Sequence, residues 1–190
     1  MVKGIILAGG LGSRLFPLTF STSKQLLPVY DKPMIYYPLS VLMNAGIKDI
    51  LIITTPNDLN RYKSLFSDGT QLGIKINYLS QSKPRGIAES FIIAQKFISD
   101  KNVCLILGDN IFYGEGLNKL VHQGIDNLSK NYSTIFGVKV KNPNQFGVIE
   151  YDSKNNISKI CEKPKSSKSD LIVSGLYFYT NDVVKFSKSL

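Results

Sequence analysis

The chain has 190 residues, 43% of them hydrophobic, and a formal net charge of +9. That length can bury a core as one domain, expected here over residues 1–190, and no apolar run approaches the ~18 residues that a membrane span needs. The positive balance suits acidic partners. The lysines are scattered, however, and the densest stretch, Lys163 to Lys168, is diluted with Pro and Ser, which argues against a basic tail or a nucleic-acid surface.

The apolar run Gly4–Ala8 is too short for a signal peptide and runs straight into glycines, so the cytoplasm is the expected compartment. Lys3–Ala8 reads as a buried strand ending at Gly9-Gly10. Tyr37–Ala45 has helical spacing and stops at Gly46, a suitable residue to end a helix. Asp49–Thr54 reads as a strand, Asp58–Leu65 as a helix, Lys75–Leu79 as a strand and Gly86–Ile98 as a helix. Val103–Leu107 is a further apolar strand, followed by the turn Gly108-Asp109-Asn110. Leu117–Leu128 reads as a helix and Ser133–Val140 as a strand. This alternation predicts an α/β fold, a Rossmann-like mixed, mainly parallel sheet with helices on both faces. From Phe146 onward the pattern changes. Gly147–Tyr151, Ile157–Glu162 and Ile172–Tyr179 read as antiparallel strands, and Asp182–Leu190 begins a helix.

Of the two cysteines, Cys104 sits in an apolar strand and reads as a small buried hydrophobe. No second pair or neighbouring histidine suggests a zinc site. His122, the only histidine, falls on a polar part of its helix and reads as a surface residue.

In open α/β sheets ligands bind beyond the carboxyl ends of the strands. The Gly9–Arg14 loop, the Gln81–Gly86 loop and the Gly108–Asn110 turn all fall there. Gly9, Gly10 and Gly12 let the backbone fold round an anion and aim its N–H groups inward. Ser13 adds a hydroxyl and Arg14 a charged fork. A tight turn that merely needs flexible residues is the other reading of such a loop. The dinucleotide pattern G-x-G-x-x-G fails, because Leu15 stands where the third glycine belongs, and no Gly-Lys-Ser/Thr supports a P-loop. Lys24 alone reads as a solvated lysine and Asp109 as a turn aspartate or helix cap.

Beyond the glycine loop, the run from Gly9 to Thr19, then Ser23-Lys24-Gln25-Leu26-Leu27-Pro28-Val29 and Lys32-Pro33-Met34-Ile35, resembles the signature of the sugar nucleotidyltransferase family. The resemblance continues through Gln81, Pro84-Arg85-Gly86-Ile87-Ala88, Gly108-Asp109-Asn110, Phe146-Gly147-Val148, Glu162-Lys163-Pro164 and Val173–Tyr179, in the family's order. It implies Mg²⁺-dependent transfer of a thymidylyl group from dTTP to glucose 1-phosphate, serving deoxysugar and polysaccharide synthesis.

On that resemblance Arg14 and Lys24 would hold the triphosphate and leaving pyrophosphate, and Asp109 would be the catalytic Mg²⁺ ligand. Leu7, Gly9, Gly10, Gly12, Ser13, Gln25, Gln81, Pro84, Gly86 and Asn110 would line the nucleotide. Gly147, Glu162, Lys163, Val173 and Tyr177 would meet the sugar or its phosphate. The family's members extend further at the C-terminus, where a second metal aspartate lies. The resemblance therefore implies that these residues lack the C-terminal part, and that the full-length family forms homo-oligomers. Two alternatives stay open: a non-catalytic nucleotide-binding module, and a related enzyme using UTP or another sugar phosphate.

Overall fold

The computed structural model describes every residue except Leu11, Pro84 and Lys168. The chain groups into two compact units, Met1–Thr134 with Tyr177–Leu190, and Ile135–Leu176.

In the first unit, β1 (Val2–Ala8) leads through loops and a two-strand hairpin, β2 (Pro28–Val29) and β3 (Lys32–Pro33), to α1 (Tyr36–Asn44). There follow β4 (Asp49–Thr54), α2 (Leu59–Phe66), β5 (Lys75–Ser80), α3 (Ile87–Ile93), α4 (Gln95–Ile98), β6 (Asn102–Leu107) and α5 (Leu117–Ser129). Strands β5, β4, β1 and β6 lie side by side in that order, and each neighbouring pair is parallel. The reason is visible in the residues. Ile5 and Ile6, Ile50–Ile53 and Val103–Ile106 are consecutive yet essentially inaccessible, as in a strand covered on both faces rather than one. Cys104 is among them, fully buried, and burial pushes its thiol pKa well above the usual range.

The expected elements recur with shifts of a residue or two, and Asp49–Thr54 matches as read. Gly46, at φ 72°, takes the left-handed conformation that ends α1. One expectation changes. The helix expected over Gly86–Ile98 divides at Ala94, whose φ of −81° and ψ of 3° leave the helical region. Phe91, Ala94 and Ile98 are all buried, so the apolar spacing persists across the break and periodicity cannot reveal it. The β2–β3 hairpin escaped sequence reading because its paired residues include Pro28 and Pro33, which argue against a strand.

In the second unit, β7 (Thr134–Lys139) precedes β8 (Gly147–Tyr151), β9 (Ile157–Glu162) and β10 (Leu171–Tyr179). β8 pairs antiparallel with β9, from Gly147 opposite Glu162 to Tyr151 opposite Ile157. β10 is antiparallel to β8 through Ile172 and Val148. The Asp152–Asn156 turn closes on the Asp152 carboxylate, which accepts the N–H groups of Lys154 (2.8 Å) and Asn156 (2.9 Å). The last residues of β10, from Tyr177, return the chain to the first unit, where α6 (Val183–Lys188) follows.

Candidate active site

The order β5-β4-β1-β6 places the chain's reversal between β1 and β6. From β1 the connections run outward on one side to β4 and β5; the next one crosses back to β6 on the other side. At such a switch point the loops after the two central strands diverge and leave a crevice at their carboxyl ends. Those loops carry Gly9–Arg14 and Gly108–Asn110. Leu7 is opposite Leu107 in the register, and the Gly108 N–H donates to the Leu7 carbonyl at 2.9 Å. The two loop roots are thereby locked together.

Gly12 sits at φ 58° and ψ 27° ahead of a short 3-10 turn, Ser13–Leu15. A Cβ there would come within 3.0 Å of the Thr19 side chain, so both backbone conformation and space call for glycine. Thr19 Oγ1 donates to the Gly12 carbonyl at 2.8 Å and folds the segment back on itself. Ser13 and Arg14 are exposed on that turn, and Gly10 is exposed beside it. Leu11 is outside the described residues.

Lys24 begins the next 3-10 turn, Lys24–Leu26, and its Nζ meets Asp109 Oδ2 at 3.0 Å, each side chain about one-third exposed (32% and 35%). The cation from one loop and the carboxylate from the end of β6 therefore share the crevice. Asn110, next in the turn, is half-buried.

Gln25 is buried, at 3% exposure. Its Oε1 accepts from Ser23 Oγ, and its Nε2 approaches the Gly9 carbonyl at 3.4 Å. Ser23 Oγ in turn meets the Tyr62 hydroxyl at 2.9 Å. Burial pushes the Tyr62 pKa far up, opposed in part by the Ser23 hydrogen bond. Gln25 thus braces the root of the glycine loop from inside. Gly108 belongs to the same packing: a Cβ on it would stand 3.1 Å from Gln25 Cγ and from the Leu7 carbonyl oxygen.

Gln81 follows β5, anchored by its N–H to the Thr54 carbonyl at 2.8 Å. Its Nε2 donates to Glu89 Oε2 at 2.6 Å. Its Oε1 lies 3.6 Å from where a Cβ on Gly9 would be, so the Gln81 and Gly9 loops adjoin. Gly86, at φ 93°, starts α3, while Pro84 lies outside the described residues. Tyr177 is buried and stacks on Tyr179, with ring centroids 5.9 Å apart.

In the second unit, Gly147, Glu162 and Val173 come together: a Cβ on Gly147 would lie 3.3 Å from Glu162 Oε2 and 3.9 Å from Val173 Cγ2. Lys163, at φ 45°, pairs its Nζ with Glu162 Oε1 at 3.3 Å. Both side chains are exposed, and the N–H of Lys163 donates to the Phe146 carbonyl at 3.0 Å.

Sequence reading missed the supporting residues Thr19, Tyr62 and Glu89. Tyr62 carries no local signal, and Thr19 enters only as the last residue of the first motif in the resemblance, with no role of its own. Glu89, placed three residues after Gly86 on a helix start, was the one with a detectable spacing. His122 is exposed on α5, as expected. Among the described residues no group of three or more His, Cys, Asp or Glu side chains could enclose a metal ion. Asp109 nevertheless suits one hard-oxygen ligand of Mg²⁺, which is commonly held by one or two carboxylates plus substrate phosphates.

A glycine loop, a cation and a carboxylate thus meet at the switch point of a mainly parallel sheet, the place where open α/β folds take their ligands. The sequence profile described as Nucleotidyl transferase matches residues 3–190, and the chain belongs to that family. A glucose-1-phosphate thymidylyltransferase of Neisseria gonorrhoeae is 54% identical over 189 residues, covering 100% of this chain and 65% of the relative. One from Mycobacterium tuberculosis is 48% identical over the same length, again 65% of the relative. This chain therefore spans just under two thirds of the length of these curated relatives. Among solved structures, a Bacillus anthracis protein designated a glucose-1-phosphate thymidylyltransferase, in complex with a sucrose, superposes with a TM-score of 0.91 at 35% identity, over 100% of this chain and 76% of that one. An apo UDP-glucose pyrophosphorylase superposes with a TM-score of 0.81 at 22% identity and shares the fold.

Proposed function

We propose that the protein transfers a thymidylyl group from dTTP to glucose 1-phosphate, giving dTDP-glucose and pyrophosphate, in a cytoplasmic route to deoxysugars and surface polysaccharide. The observation that carries this reading is the meeting of Lys24 and Asp109 at 3.0 Å beside the glycine loop. A cation and a carboxylate in one crevice, backed by a loop able to turn N–H groups toward phosphate, are the parts that phosphoryl transfer needs. The names of relatives at 48–54% identity supply the substrate class. The free cysteines Cys104 and Cys161 suit a reducing compartment.

In this reading the Gly9–Arg14 loop grips the triphosphate, with Arg14 offering a planar fork to its oxygens. An oxygen of the sugar phosphate attacks the α-phosphorus; that P–O bond forms as the bond to the bridging β-oxygen breaks, and pyrophosphate leaves. Little covalent work falls to the protein, so positioning and charge stabilisation dominate. Lys24 turns from Asp109 to the leaving pyrophosphate, which releases the carboxylate from that pair. Asp109 would then hold Mg²⁺, which when bound supplies neutralisation of the phosphate oxygens. The resemblance assigns Glu162 to the sugar hydroxyls and Lys163 to the sugar phosphate; both side chains are exposed in the second unit.

Pyrophosphate release from dTTP and glucose 1-phosphate, with UTP run alongside, tests the reading. We expect Mg²⁺-dependent release with dTTP favoured over UTP. A folded chain that binds dTTP and releases no pyrophosphate would leave it a nucleotide-binding module.

A further inference from the structure

The amide of Gln81 has a direction. Its Nε2 donates at 2.6 Å to Glu89 Oε2, a short bond to an acceptor-only group. A carboxylate cannot donate to an amide oxygen, so the nitrogen must face Glu89 and the oxygen must face away. The second amide hydrogen has a longer approach to the Gly86 carbonyl, at 3.5 Å. Oε1 is left directed toward the Gly9 side, 3.6 Å from the Cβ position of Gly9. Gln81 itself is 7% exposed, so a wrongly turned amide would be costly there. Glu89 is in turn held by Arg85, whose Nη1 lies 3.7 Å from Glu89 Oε1. Gln25, the other glutamine of this region, already spends its amide on Ser23 and Gly9.

We propose that Glu89 is a positioning residue for base selection: it fixes the Gln81 amide so that the site presents a hydrogen-bond acceptor, and thereby selects a pyrimidine whose N3 carries a proton. Thymine and uracil offer N3–H. Cytosine offers a bare N3, which would face the Gln81 oxygen acceptor to acceptor. This inference rests on the nucleotide reading of the site and adds to it where the choice between pyrimidines is made. The contact is made by Gln81; Glu89 acts through it.

The substitution Glu89→Gln tests the assignment with almost no change of shape. The amide introduced there could present either its oxygen or its nitrogen, and Gln81 would then be able to turn over and offer N–H to cytosine. Calorimetric titration of the wild-type chain and of Glu89→Gln, each with dTTP, dCTP and inorganic tripolyphosphate, reads the effect. We expect the wild type to prefer dTTP over dCTP by about tenfold or more, roughly the effect of one mismatched buried hydrogen bond. In Glu89→Gln that ratio should fall toward one while tripolyphosphate binds as in the wild type.

An unchanged dTTP/dCTP ratio in the variant overturns the positioning role. Loss of tripolyphosphate binding in the variant overturns it too, because Glu89 would then be acting through the loop structure. A wild type that binds tripolyphosphate and does not discriminate the bases overturns base selection at Gln81 while sparing the phosphate site. A wild type that binds none of the three overturns the nucleotide reading itself.

Discussion

The two ends of the same parallel strands make opposite kinds of surface. At the amino ends, Val2, Ala45, Ile47, Ile74 and Ile125 line a cavity of about 610 Å³, with Lys48, Asp49 and Lys75 at its border. Nearby, Lys3 is spent on structure: its Nζ pairs with Asp49 at 3.2 Å and donates to the Phe97 carbonyl at 2.7 Å. At the carboxyl ends the loops instead bring glycine backbone, Lys24, Asp109 and Gln81 around one crevice. Volume and chemistry thus separate within one sheet. The polar crevice needs a switch in strand order and loops that carry charge, and only the carboxyl side has both.

The contrast breaks first at Asp109. If the carboxyl end does the chemistry, Asp109→Asn should lower pyrophosphate release by about 10²-fold or more, a typical cost of losing one electrostatic contributor to a charged transition state. Its urea midpoint should hardly move, because the lost pair with Lys24 is part-exposed and such pairs contribute little to stability. A variant that releases pyrophosphate at the parental rate would remove Asp109 from the mechanism.

Ser23→Ala addresses the support beneath the crevice. It takes away a partner of two buried groups, Gln25 Oε1 and the Tyr62 hydroxyl, the latter keeping its contact with Thr54. We expect about 1–3 kcal/mol of lost stability in urea unfolding, with weaker dTTP binding because Gln25 no longer holds the root of the glycine loop. Unchanged nucleotide affinity in a destabilised variant would show that the brace serves folding alone. At the other end, Ile47→Val trims a buried side chain, 3% exposed, that lines the amino-end cavity. It should cost about 1 kcal/mol and leave dTTP affinity and turnover unaltered. A change in either would tie the amino-end cavity to function.

The same division explains what could be read from the chain. The buried strands were legible because runs such as Asp49–Thr54 and Val103–Leu107 carry their burial in their composition, and the matching registers follow. Lys24 and Asp109 were each expected in the site; that they pair at 3.0 Å was not, since 85 residues separate them in the chain. Gln25 looked like a base-reading group, and its placement under the loop depends on Ser23, Gly9 and Gly108 all closing on it. Glu89 stands at a recognisable helix-start spacing, yet its part in the site was hidden for a related reason. Its role lies in what it does to another side chain, and a pattern of single residues does not encode that.

The smallest expected effect lies between the two ends, on strand β5. The Tyr78 hydroxyl donates to the Ser67 carbonyl at 2.6 Å, tying the strand to the residue that ends α2. Burial, helped by the nearby Asp68 charge, raises the Tyr78 pKa from 10.0 to about 12. The folded state therefore keeps its proton at a pH where the unfolded chain gives it up. Stability from this group is complete below pH 10 and declines as pH rises from 10 through about 12. Tyr62 shifts in the same direction, so part of the alkaline slope survives without Tyr78. Tyr78→Phe should be less stable than the parent at neutral pH by about 1 kcal/mol, the usual net worth of one hydrogen bond, and the two stability curves should approach each other above pH 10. Parallel curves across that range would mean that the hydroxyl titrates alike in both states. Because Tyr78 touches neither crevice nor cavity residues through that bond, dTTP affinity at neutral pH should be the same in both proteins, and a difference would mean that the edge strand helps to shape the Gln81 loop.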